Sequence, residues 1–146
     1  MKGPTRFTVL VLLVAFCLFA CAGSNKQPYS PVEEKTKFEE STLLQASVRA
    51  LEEMDYDIGV EDTDSYTVRS REREVSLSSI PKLSYRYQWT IKTGGGKLSI
   101  TVDCKENSAM DEKTFEACGD EVPQQVAEDQ EQLHHKILVI AKEWTH

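Results

Sequence analysis

Between residues 83 and 92 apolar and polar side chains alternate without a break. Leu83, Tyr85, Tyr87, Trp89 and Ile91 fall on one parity, and Ser84, Arg86, Gln88, Thr90 and Lys92 on the other. That two-residue period predicts a strand with one face in a core. Leu98, Ile100, Val102 and Cys104 repeat the pattern after Thr93-Gly94-Gly95-Gly96, whose glycines suit a hairpin connection, so two adjacent antiparallel strands are expected. Two shorter strands precede them. Tyr56, Ile58 and Val60 alternate with Asp57, Gly59 and Glu61, while Tyr66 and Val68 oppose Thr67, Arg69 and Arg71, with Asp62-Thr63-Asp64-Ser65 as the turn between. Residues 70–79 are polar and carry no parity, so the end of the second strand is left open.

A three- and four-residue period flanks these strands on both sides. Thr36-Lys37-Phe38-Glu39 has capping-box spacing, and Leu43, Leu44, Ser47, Val48, Leu51 and Met54 then mark one stripe of a helix ending near Asp55. After an acidic loop, Pro123 stands where a helix can start, and Val126, Leu133, Ile137, Ile140 and Trp144 mark a second stripe. Helix, strands, helix predicts the α+β class: an antiparallel sheet of about four strands, with the N-terminal and C-terminal helices on its aromatic-rich face. Residues 34–146 are about the size of one domain with a single two-layer core.

The first twenty residues follow another logic. Lys2 and Arg6 precede an apolar-dominated run over residues 7–19, too short for a bilayer-spanning helix of roughly 20 residues. A charged head, a hydrophobic middle and a small residue at the end make an export signal. Its end, Leu18-Phe19-Ala20-Cys21, resembles the lipobox of bacterial lipoproteins. The resemblance implies cleavage after Ala20, acyl chains on Cys21 and attachment to a membrane. Ala22, rather than Asp, after the cysteine implies sorting to the outer membrane. The rival is an ordinary secretory signal with an incidental cysteine. Residues 21–33 are small, polar and proline-containing, the composition of a flexible tether.

Without residues 1–20 the chain has 15 basic and 24 acidic side chains, a formal charge of −9. Bulk attraction to nucleic acid is thereby disfavoured, and no nucleic-acid partner is expected. Cys17 leaves with the signal and Cys21 takes the lipid, so Cys104 and Cys118 remain outside the cytoplasm, where a disulfide is the simplest pairing and two free thiols the alternative.

Catalytic and cofactor motifs find little support. Gly94-Gly95-Gly96-Lys97 lacks the earlier glycine, the following Ser or Thr and the strand-to-helix context of a phosphate loop. His134, His135 and Glu131 offer too few ligands on one side of a helix for a metal, and the stretch from Asp62 reaches Arg73 where a calcium loop needs glutamate. No G-x-S-x-G elbow occurs. No cofactor and no enzymatic activity are expected. Arg69, Arg71, Arg86 and Lys92 fall on the outward parity of two strands, a candidate partner-binding face for carboxylate-rich envelope proteins or peptidoglycan; neighbouring acids that neutralise an ordinary solvated face are the alternative. Tyr85, Tyr87, Trp89 and Trp144 allow a rival function, carriage of a small apolar ligand between helices and sheet. Met54-Asp55-Tyr56-Asp57-Ile58, a helix end running into a strand, is similar in layout to helix-grip domains of small envelope lipoproteins, including the accessory lipoprotein of the barrel-assembly machinery. That similarity implies a fold and no function. The expectation is therefore a non-enzymatic, periplasm-facing lipoprotein.

Overall fold

The computed structural model describes residues 26–76, 84–107, 116–119 and 121–145. In chain order the elements are β1 (Lys26–Pro28), β2 (Val32–Lys35), α1 (Glu40–Glu53), β3 (Ile58–Asp62), β4 (Thr67–Ser70), β5 (Arg73–Ser76), β6 (Ser84–Lys92), β7 (Lys97–Asn107), β8 (Glu116–Ala117), β9 (Glu121–Pro123) and α2 (Gln124–Trp144). The fold is α+β, with an antiparallel sheet and two helices.

The β6–β7 hairpin is the spine of the sheet. Tyr87 faces Cys104, Trp89 faces Val102 and Ile91 faces Ile100, so the expected inward parity is realised, with Tyr85, Tyr87, Trp89, Ile91, Leu98, Ile100 and Val102 all buried. Gly95 and Gly96 take φ of 68° and 70°, and the Lys97 amide donates to the Gly94 carbonyl at 3.3 Å. Two successive positive φ angles make the turn whose twist matches a hairpin. Leu83 lies outside the described residues.

The sheet is larger than the alternation predicts. Seven strands assemble in the order β2-β7-β6-β4-β3, with β5 beside β6 and β8 beside β7. β4 and β5 pair with opposite ends of β6, like one strand interrupted at residues 71–72, where the Arg71 amide leaves the ladder to reach the Asp57 carbonyl at 2.7 Å. That interruption lies in the polar stretch where parity is lost. β3 is an edge strand with a register shift between Ile58 and Val60, and Val60 is 49% exposed. Tyr56 reaches the core from just before β3.

The expected tether at residues 21–33 is corrected from residue 26 onward. β1 pairs with β9 and β2 pairs with β7, so the folded domain already includes Lys26 and does not wait for residue 34. Between β2 and β8 the β7 edge would have an unpaired amide at Val102. The Tyr29 hydroxyl accepts that hydrogen bond at 3.0 Å, and the Gln130 side chain holds the Ser30 carbonyl at 3.0 Å. Backbone groups at a covered edge require partners, and this segment supplies them.

Both helices cover one face of the sheet. α1 packs on β3, β4 and β6, and α2 packs on α1, burying Leu43, Leu44, Leu51, Val126, Leu133 and Ile137. The capping box is not formed: α1 starts at Glu40, Glu39 stands at the N-cap, and no side chain caps the helix. Trp144, assigned to the buried stripe of α2, is instead 52% exposed. Cys104 and Cys118 stand at disulfide distance, with Cα atoms 5.0 Å apart, and so join β7 to the segment entering β9.

A polar cleft beside Asp129 as the candidate functional site

α2 carries two stripes. Beside the apolar one, Gln125, Asp129, Gln132 and Lys136 recur at four- and three-residue steps and so share a helix face. They line one wall of a cleft of about 400 Å³, whose other walls are Glu53, Met54 and Asp55 at the end of α1, Arg73 and Val75 on β5, and Tyr87 on β6.

The end of α1 sets the geometry. The Asp55 amide donates to the Glu52 carbonyl at 3.0 Å and the Tyr56 amide to the Leu51 carbonyl at 2.9 Å, while Asp55 itself takes φ of 60°. This is the Schellman termination, in which a left-handed residue reverses the chain and directs the next side chain back onto the last turn. Tyr56 is that next residue. Its ring packs edge-on against Tyr87 and Trp89, with centroids 6.4 and 6.3 Å away.

Asp129 is 8% exposed. Its Oδ2 accepts from the Tyr56 hydroxyl at 2.5 Å, and its Oδ1 from the Gln125 amide at 2.8 Å. The Tyr87 hydroxyl lies 2.9 Å from that of Tyr56 and 3.4 Å from Asp129 Oδ2. Each phenol has one proton. With the Tyr56 proton committed to Asp129, Tyr87 donates along its shorter contact, to Tyr56. Burial first, and then the bond donated to Asp129, push the Tyr56 phenol far above its ordinary value; burial raises the Tyr87 phenol as well. These hydroxyls are donors at neutral pH and not bases.

Two cations border this carboxylate. The Arg73 guanidinium lies 4.0 Å from the centre of the Tyr56 ring and donates to the Asp55 carbonyl at 2.6 Å. Lys136 reaches Glu53 at 2.9 Å, and Arg49 approaches the other oxygen of Glu53 at 2.8 Å. Hydrogen bonds from Lys136 and then Arg49 hold the exposed Glu53 carboxyl below its usual range. Among the described residues no ion pair reaches Asp129. The cleft therefore presents a buried carboxylate and a guanidinium that do not neutralise each other directly.

The residues expected from the sequence lie elsewhere. Cys21 is outside the described residues. Arg69 donates to Thr90, which in turn donates to Asp103, and Arg86 pairs with Glu72 at 3.4 Å. Lys92 and Arg71 are exposed. Arg86 and Lys92 stand six residues apart on one strand, about 20 Å, Arg69 lies diagonal to Lys92 across the β4–β6 ladder, and acids accompany two of the four cations. Tyr85, Tyr87 and Trp89 are packed in the core while Trp144 is exposed, so the four aromatics do not line one apolar cavity. His134 contacts Glu34 at 2.6 Å, tying α2 to β2. The sequence reading missed the cleft, whose residues come from four elements. The signal available was the polar stripe running beside the apolar stripe of α2.

No family model and no curated protein matches the chain. Among solved structures it is similar to a TBP-like protein from Parabacteroides distasonis at 12% identity and a TM-score of 0.45, over 81% of this chain and 94% of that one.

Proposed function

We propose that the mature protein is a lipid-anchored, periplasm-facing envelope lipoprotein whose α+β domain is a non-enzymatic interaction module. The observation that carries this reading is Leu18-Phe19-Ala20-Cys21 at the end of a short apolar run that follows Lys2 and Arg6. Cys104 and Cys118 at disulfide distance support an oxidising compartment. Several acyl chains on one residue make attachment persistent, because each buried methylene contributes about 0.8 kcal/mol. The non-enzymatic reading is supported by a cleft whose phenols are pushed up, away from the range of general bases. Ala22 favours the outer membrane, by the resemblance to lipoprotein sorting.

Intact-mass analysis of protein extracted from its own membranes tests the anchor. The expected mass is that of a chain starting at acylated Cys21, and Cys21→Ser should move the protein to the soluble fraction. An unmodified amino terminus at any other residue overturns the proposal.

A further inference from the structure

We propose that the cleft binds a small zwitterion of the amino-acid or dipeptide class, with the ligand's ammonium group on Asp129 and its carboxylate on Arg73. The first support is energetic. A carboxylate that is 8% exposed is costly to desolvate, and here neutral donors, with no ion pair among the described residues, hold it. An apolar residue at that helix position would continue the core of Val126 and Leu133. The protein instead keeps a charge that opens onto a cavity.

The second support is the placement of the opposite charge. Both groups border Tyr56: Asp129 takes its hydroxyl, and Arg73 lies over its ring at 4.0 Å. Arg73 donates to the Asp55 carbonyl and also hydrogen-bonds the Tyr87 hydroxyl, which fixes the fork while leaving its remaining donors for a planar carboxylate. A ligand bearing one sign only would bring its charge against the unlike-signed wall and leave the other unmet. A ligand bearing both signs, a few bonds apart, satisfies both. The cavity of about 400 Å³ is at the small end of ligand sites, and Gln125 and Gln132 on α2 suit the amides of a short peptide. Lys136, also in the cleft wall, is held by Glu53.

Titration calorimetry on the mature full-length chain in detergent tests this independently of the anchor, since binding to the cleft requires no acyl group. The probes are Ala-Ala, N-acetyl-Ala-Ala without its ammonium, and Ala-Ala amide without its carboxylate. Ala-Ala should bind at millimolar concentration, and each blocked form should bind at least about tenfold more weakly, a loss of about 1.4 kcal/mol. Asp129→Asn should abolish the preference for the free ammonium. Arg73→Lys, which leaves the hydrogen bonds of Asp129 in place, should weaken Ala-Ala and leave the amide unchanged. Absence of heat with Ala-Ala, blocked forms that bind equally well, or an Arg73→Lys chain that binds like the parent overturns the proposal.

Discussion

Tyr56 joins three parts of the domain: its ring sits among Tyr87 and Trp89 of β6, its hydroxyl reaches Asp129 of α2, and its backbone closes α1. Removing only the hydroxyl separates packing from hydrogen bonding. Tyr56→Phe keeps the ring but leaves the buried Asp129 short of its nearest donor, and should lower stability by about 1–3 kcal/mol in denaturant unfolding. Tyr87→Phe should cost less, because it removes a bond between two neutral hydroxyls and leaves Asp129 its nearest donor. The raised phenols also set an alkaline limit. A group whose folded pKa lies above its unfolded value, here 10.0 for Tyr56 and Tyr87, stabilises fully below the unfolded value and less as pH rises past it. Melting temperature should therefore hold steady up to about pH 9.5 and fall above it, and the fall should be shallower in Tyr56→Phe. A profile that Tyr56→Phe leaves unchanged would remove Tyr56 from this account.

Between β6 and β7 three adjacent glycines carry different loads. Gly95 and Gly96 need positive φ, so alanine at either should cost roughly 1–2 kcal/mol. Gly94 lies outside that region, with nothing near an added Cβ; Gly94→Ala should be neutral or stabilising by up to about 1 kcal/mol. Melting of the three single variants checks the ordering. A second test concerns the cysteines: with a sequence separation of 14 and Cα atoms at 5.0 Å, a bond closes a loop worth about 3 kcal/mol in the chain-entropy model. Unreduced protein should leave Cys104 and Cys118 unlabelled by thiol reagents, and Cys118→Ser should lower stability by about 2–4 kcal/mol. Labelling of both residues, or an unshifted midpoint, would sink the pairing.

The same scale shows what the sequence could reveal. β6 and β7 are long enough for parity to build up over Tyr85 to Ile91 and Leu98 to Val102, and α1 and α2 each bury a stripe, so all four were legible. β1, β2, β8 and β9 are two to four residues long, and no period develops over such lengths. β2 reads Val-Glu-Glu-Lys and is held by backbone pairing to β7 more than by side-chain burial, which composition does not report. The cleft was hidden for another reason. Glu53, Arg73, Tyr87 and Asp129 meet only after the Schellman turn at Asp55 and the break between β4 and β5 have formed, and neither has a periodic signature.

For the molecule as a whole, the early start of the domain changes the geometry of the proposed anchor. Five chain steps separate Cys21 from Lys26, the first residue of β1, and even fully extended they reach only about 18 Å. β1 pairs with β9, which leads directly into α2, so acyl chains on Cys21 would hold this end of the domain close to the headgroups. A tether running to residue 33 would have allowed far greater freedom. The two geometries are distinguishable by energy transfer from Trp89 and Trp144 to a dansyl lipid in vesicles carrying the acylated protein. A twenty-residue Gly-Ser insertion between Asn25 and Lys26 gives the linker a mean span of about 27 Å and should reduce transfer relative to the parent chain. Equal transfer from the two proteins would show that some surface of the domain, and not the length of the spacer, sets its distance from the membrane.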